Sequence, residues 1–125
     1  MHRSRLTTIV IDCNESTLAS GADFWSQALG MRLDPNDEPA DRYKSLVGGP
    51  AGTRLLLQQV PTESAIHLDI ETDDVEAEVR RLEALGATRK YRVKSWWVMR
   101  APTGHDFCVV RPQSSDFPGD ANVWE

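Results

Sequence analysis

The stretch AIHLDIETDDVEAEVRRLEALG, residues 65–86, changes its hydrophobic period halfway along. Its first part places apolar residues at every second position, as a half-buried strand does: Ile66, Leu68 and Ile70. The other face of this strand carries His67 and, two residues later, Asp69. The segment therefore predicts a strand with a polar face that holds an imidazole and a carboxylate.

The second part of the same stretch has the period of a helix, which we place at residues 73–86. Its inner face is apolar: Val75, Val79 and Leu82. Asp73 and Glu76 have the spacing of a capping box at the start, and Gly86 marks the end. A strand followed by a helix is thus expected over these residues.

The same order of segments occurs earlier in the chain. LTTIVID (6–12) predicts a strand, and residues 16–30 predict a helix with Ser16 as N-cap and Gly30 as the stop. The apolar face of this first helix contains Leu18, Ala22, Trp25 and Leu29. The helix ends ALGMR and ALGAT are 56 residues apart, and the turns GPAGTRLLL and APTGHDFCV are 52 apart. The chain therefore contains a duplicated unit.

Each helix is followed by segments that predict three strands, so each unit reads βαβββ. We expect an α+β fold in which two βαβββ repeats form a curved mixed sheet, a half-barrel, with the helices packed outside. The whole chain, 1–125, is expected to be one domain with a first unit at 5–60 and a second at 64–112. In the tail, 113–125, apolar side chains are expected to dock on the body or on a partner subunit: Phe117, Val123 and Trp124.

Composition excludes several classes of function. The net charge of −5, from 19 acidic and 14 basic residues, gives no electrostatic footprint for nucleic acid or anionic lipid. No apolar run approaches the roughly 20 residues of a membrane helix. Cys13 and Cys108 are far apart and lack a CxxC pattern, so reduced thiols in the cytoplasm are expected.

The motifs TIVIDC before FWSQALG, HLDI before DDVEAEVRRLEALGA, and APTGHDFCVV near the end resemble the vicinal oxygen chelate superfamily. The similarity is to its glyoxalase-like and bleomycin-resistance-like small proteins and covers residues 5–112. The resemblance implies that the two units enclose a cleft for a small molecule, and that the protein forms a homodimer. The fold alone does not decide the function.

In the metal-using members of this superfamily, ligands come from the first and fourth strands of each unit. The resemblance places these positions at Thr8, Leu56, His67 and Cys108. Leucine cannot bind a metal and threonine is a poor ligand for transition metals, whereas a cysteine thiolate can bind zinc. The resemblance therefore implies no resident cofactor, with His67 as the ligand if a divalent metal does bind.

Further candidates for ligand contact come from strand parity. Asp12 shares its face with Thr8, and Gln58 offers an amide at the cleft edge. KSWWVMR places Trp96 and Trp97 on opposite faces of one strand, and which tryptophan reaches the cleft depends on the strand register. The predicted ligand-binding set is His67, Trp97, Gln58, Asp12, Cys108 and Thr8. Structural roles also fit these residues, including a buried space-filling Cys108 and a paired Asp12.

Three functions fit this pattern. The first is a metal-independent protein that binds a small organic molecule by apolar burial and stacking. The second is an enzyme, a metal-dependent lyase, isomerase or dioxygenase, whose remodelled site uses ligands such as Asp69, Asp106 or His105. The third is an interaction module whose cleft is filled by its own side chains.

Overall fold

The structure, a computed structural model, describes residues 1–16, 18–37 and 42–125. The strands of these ranges are β1 (His2–Cys13), β2 (Arg32–Leu33), β3 (Tyr43–Val47), β4 (Leu55–Gln59), β5 (Ala65–Thr72), β6 (Thr88–Val93), β7 (Trp96–Arg100), β8 (Asp106–Val110) and β9 (Asn122–Trp124). The helices are α1 (Ala19–Leu29), α2 (Val75–Ala84) and a short 3₁₀ helix (Pro50–Gly52). The order βαβββ occurs twice, which confirms the α+β class and the duplicated unit.

The chain divides into two compact units, an N-unit of residues 8–66 and a C-unit of residues 1–7 and 67–125. In the N-unit the strand order is β2-β3-β4-β1, and β1 runs parallel to β4. Its core lies between this sheet and α1, because alternate residues of β1 and β4 pack against the helix. The core contains Ile11, Cys13, Leu18, Ala22, Met31, Leu46, Leu55 and Leu57.

In the C-unit the strand order is β5-β8-β7-β6, and β5 runs parallel to β8. The predicted inner face of α2 packs on this sheet, with Val79 and Leu82 buried and Val75 partly buried. The sheet contributes Met99 and Val109 to the same core. No helix in the described ranges combines the length and the apolar composition that crossing a bilayer requires.

The tail adds a strand that the sequence does not predict. β9 pairs with the start of β1 in an antiparallel ladder that includes His2 and Trp124. Trp124 Nε1 donates a hydrogen bond to Ser4 Oγ at 2.8 Å, and the Arg81 guanidinium lies 3.8 Å from the centroid of the indole. The tail therefore docks on the same chain, which is one of the two arrangements that the sequence predicts.

Both helix starts differ from the prediction. α1 begins after Leu18 rather than Ser16, and the Leu18 side chain at this start is buried in the core without a side-chain cap. At α2 the cap is Asp74, whose carboxylate accepts from Ala77 N at 3.0 Å. Asp73 is not the cap, because its carboxylate accepts from the backbone N–H of Arg3 instead. Gly30 ends α1 in the left-handed conformation, as expected.

Two fully buried glutamates tie the C-unit together. Glu78 accepts hydrogen bonds from His2 Nε2, Ser4 Oγ and two guanidinium nitrogens of Arg81, all at 2.8 Å. Glu71 accepts from Arg5 Nε at 2.7 Å and from two backbone N–H groups at the start of the tail. Burial alone raises the pKa of each carboxyl, but these donors outweigh it, so both pKa values lie below the usual range.

These lowered pKa values predict a loss of stability in acid. A carboxyl with a lower pKa in the folded state stabilises fully above its unfolded pKa, about 4.3, and that stability is lost as pH falls through the folded pKa. Urea unfolding between pH 6 and 3 should therefore show a steep fall in the free energy of unfolding. The double variant Glu71→Gln, Glu78→Gln should show a shallower slope, and equal slopes for both proteins would contradict the assignment.

Candidate functional site

The register of three strands assigns side chains to the two faces of the C-unit sheet. Cys108 of β8 lies opposite Asp69 of β5 on one side and Val98 of β7 on the other. The neighbouring positions Val109 and Met99 belong to the core under α2. Asp69, Cys108 and Val98 therefore share the face directed away from the helix. We call it the open face, and by strand alternation it also includes His67 and Trp96.

Three side chains of the open face converge on one point. A ring nitrogen of His67, a carboxylate oxygen of Asp69 and the Sγ of Cys108 all lie within 4.8 Å of one another, and all three residues are half-buried. His67 Nε2 is 3.4 Å from Asp69 Oδ1, and the two side chains are 18% and 15% exposed. Residues two apart on a strand are about 6–7 Å apart along the backbone, so the two side chains lean toward each other along β5.

The carboxylate of Asp69 is only partly satisfied. Its Oδ1 atom is buried and faces His67 Nε2 at 3.4 Å, but this contact does not have the geometry of a hydrogen bond, and no other described residue donates to it. The carboxylate can therefore accept a further hydrogen bond from a donor on a bound molecule. The cluster therefore combines an imidazole, a thiol and a carboxylate with spare capacity.

The two cysteines lie in different surroundings. Cys13 is 6% exposed in the core beneath α1, and its thiol donates a hydrogen bond to Ile11 O at 3.4 Å. Burial is the largest of the effects that raise the pKa of this thiol. Cys108 is a free thiol that is only partly buried, on the open face. Chemistry at sulfur is therefore expected at Cys108 and not at Cys13.

The two tryptophans of β7 lie on opposite faces, as predicted. Trp97 packs on the core under α2, and the Arg89 guanidinium is 5.1 Å from its ring centroid. Trp97 also lines an open groove of about 530 Å³ beside the start of α2. Trp96 has the parity of Val98 and lies on the open face. The β7–β8 register therefore places Trp96, rather than Trp97, on the same face as His67. Contact of Trp97 with a ligand stays a prediction.

The remaining predicted site residues belong to the N-unit. Asp12 of β1 and Gln58 of β4 are partners in the parallel ladder and are both half-buried. Thr8 is buried on β1, and Leu56 lies opposite Val10. Contact of these residues with a ligand stays a prediction.

The residues at the four metal-ligand positions of the superfamily do not fit a metal. Leu56 carries no donor atom, and the buried hydroxyl of Thr8 is a poor ligand for transition metals. Two donors, His67 and Cys108, then remain, whereas catalytic zinc sites usually have three protein ligands. A metal centre of that four-position kind is not built into this chain.

Comparison with known proteins agrees with the geometry. The profile of the glyoxalase-like domain family matches residues 8–110. The chain belongs to this family. No curated protein shows a significant match to the sequence.

Solved structures share the fold at low identity. A hypothetical protein from Bacillus halodurans C-125 is 15% identical with a TM-score of 0.58, covering 90% of this chain and 99% of its own. Methylmalonyl-CoA epimerase from Mycobacterium tuberculosis is 18% identical with a TM-score of 0.54, covering 87% and 88%. A glyoxalase/bleomycin resistance protein/dioxygenase superfamily member from Vibrio splendidus 12B01 is 15% identical with a TM-score of 0.54, covering 85% and 97%. At these identities the likeness concerns the fold alone.

Proposed function

We propose that this protein binds a small organic molecule on the open face of the C-unit. The single observation that supports the proposal most is the cluster of His67, Asp69 and Cys108 on the same sheet face as Trp96. Ligand sites typically combine apolar or aromatic walls with a few convergent polar groups. The half-buried Trp96 supplies the apolar surface, and His67 and Asp69 fix the orientation of the ligand.

If the ligand binds at this site, its binding should change the fluorine NMR signal of one of the four tryptophans of the chain. Protein labelled with 5-fluorotryptophan is titrated with a panel of aromatic carboxylates and phenols, and each fluorine resonance is assigned by a Trp→Phe variant. A ligand should shift the resonance of Trp96. The substitution Trp96→Ala should weaken binding by about 10-fold, which corresponds to about 1.4 kcal/mol, because the stacking surface is lost.

Two controls define the test. His67→Asn should weaken binding, whereas His105→Asn should not, because His105 lies in an exposed turn where its ring contacts Thr103. A ligand that shifts Trp25 or Trp97 but leaves Trp96 unchanged would contradict the proposed site.

A second candidate function is favoured by the same cluster. Three donors of different chemistry suit a metal-dependent lyase, isomerase or dioxygenase with a remodelled centre. Repeating the ligand titration with and without EDTA separates the two candidates. Binding that survives EDTA favours a metal-independent binding protein, and binding that is lost favours the enzyme.

A further inference from the structure

The groove of about 530 Å³ beside the start of α2 lies on the helix side of the C-unit sheet. Arg92 pairs with Trp97 in the β6–β7 ladder, and Trp97 pairs with Val109 in the β7–β8 ladder, so the three side chains share the face of the core under α2. Arg111, just beyond the end of β8, also lines the groove. The groove therefore has no lining residue in common with the His67 cluster, and its volume is that of a small-molecule site.

Two guanidinium groups in this groove keep donors available for a ligand. The guanidinium of Arg111 forms no hydrogen bond or ion pair within the described part of the chain. Arg92 donates from Nε to the backbone carbonyl of Lys94 at 3.0 Å, which leaves its two terminal nitrogens for other acceptors. A guanidinium group stays charged at neutral pH, and its planar set of donors matches the oxygens of a phosphate. The two arginines therefore offer fixed positive charge and directed donors on one face.

The acidic residues that line the same groove have donors of their own. Asp73 accepts a hydrogen bond from the backbone N–H of Arg3 at 2.8 Å, and Asp74 is the N-cap of α2. A carboxylate oxygen of Glu76 lies 2.8 Å from a guanidinium nitrogen of Arg89. The charge of the two groove arginines is therefore left for a ligand, while the acidic rim disfavours a long polyanion such as nucleic acid. This arrangement suits a small, compact anion.

We propose that the groove binds a small organic phosphate, with Arg92 and Arg111 donating to the phosphate and Trp97 contacting the organic part. A phosphate monoester carries a charge of about −1.5 to −2 at pH 7, so it gains more from two guanidinium groups than a carboxylate with a single charge does. Trp97 and the partly buried Val75 give the groove its apolar wall. The inference is independent of the proposed function, because it uses none of the residues of the open face.

A titration with phenyl phosphate tests the proposal in protein labelled with 5-fluorotryptophan. The probe should produce a saturable shift of the Trp97 resonance. Arg92→Gln and Arg111→Gln should each weaken binding by about 10-fold, because each removes charge-assisted hydrogen bonds to the phosphate. Both side chains are exposed, so both variants should keep the fold. Phenyl phosphate is not one of the carboxylates and phenols that test the open face, so the two proposals can fail separately.

A matched variant and two matched probes serve as controls. Arg100→Gln removes an exposed arginine of β7 that already contacts Asp106 at 3.0 Å, and it should leave the affinity unchanged. Benzoate should leave the Trp97 resonance unchanged at the concentration at which phenyl phosphate saturates, and inorganic phosphate should bind more weakly than phenyl phosphate.

Four results would overturn the proposal. The first is the absence of a saturable Trp97 shift, and the second is a shift confined to Trp96. The third is an equal loss of affinity in Arg100→Gln and in the two groove variants, which would show attraction to surface charge in general. The fourth is inorganic phosphate or benzoate binding as tightly as phenyl phosphate, which would remove the selectivity for an organic phosphate.

Discussion

Replacing Glu78 by alanine is expected to lower the free energy of unfolding by about 3–5 kcal/mol, which is the cost of breaking a buried ion pair from one side. The carboxylate is fully buried and accepts four hydrogen bonds, from His2, Ser4 and Arg81. Without it, these donors stay in the interior and cannot all reach water. The loss of unfolding free energy should be near the lower end of this range, because the Arg81 side chain is 25% exposed and stays partly hydrated.

Urea unfolding at pH 7 measures this loss. The control is Glu83→Ala on the same helix, where the carboxylate is exposed and lies 3.1 Å from the Arg89 guanidinium. An exposed pair of this kind contributes less than about 1 kcal/mol. Equal losses in the two variants would show that Glu78 does not hold a buried network.

The second large effect is expected for Glu71→Ala, again about 3–5 kcal/mol. Glu71 holds Arg5 Nε at 2.7 Å and accepts from the backbone N–H groups of Gln113 and Ser114 at 2.7 and 3.0 Å. Arg5 in turn contacts Asp116 and lies 5.7 Å from the ring centroid of Phe117. Removal of the carboxylate therefore breaks the contact between the strand and the tail as well as the ion pair.

The tail gives this variant a second readout. Limited proteolysis should cut Glu71→Ala within residues 113–125 faster than the wild-type protein, because the backbone donors at the start of the tail lose their acceptor. The matched control is Asp116→Ala, which removes an exposed partner of Arg5 and should cost less than about 1 kcal/mol. A tail that is cut at the same rate in wild-type protein and Glu71→Ala would contradict the role of Glu71.

The fold was predictable because its signals are local and repeated. Each signal comes from residues close together in the sequence: the two apolar helix faces, the period-two strands and the glycines that end the helices. Because the unit is duplicated, the same order of signals occurs twice, and each copy supports the interpretation of the other. Details that depend on residues far apart in the sequence could not be predicted. His2 carries no local signal for burial, yet it lies buried against Glu78, 76 residues away in the sequence. The edge strand β9 is likewise defined by its pairing with β1.

The candidate site was predictable in part for the same reason. His67 and Cys108 followed from strand parity and from the family resemblance. The choice between Trp96 and Trp97 required the β7–β8 register, since a shift of one residue exchanges the two faces. The 3.4 Å approach of His67 to Asp69 required side-chain directions that spacing along a strand does not give.

The most direct test concerns the bound molecule on the open face. Crystals grown with a ligand found in the fluorine titration are measured, and the difference map is calculated. The proposed function predicts ligand density stacked against Trp96 and within hydrogen-bond distance of His67 or Asp69. A ligand bound elsewhere, beside an ordered and empty open face, would contradict it.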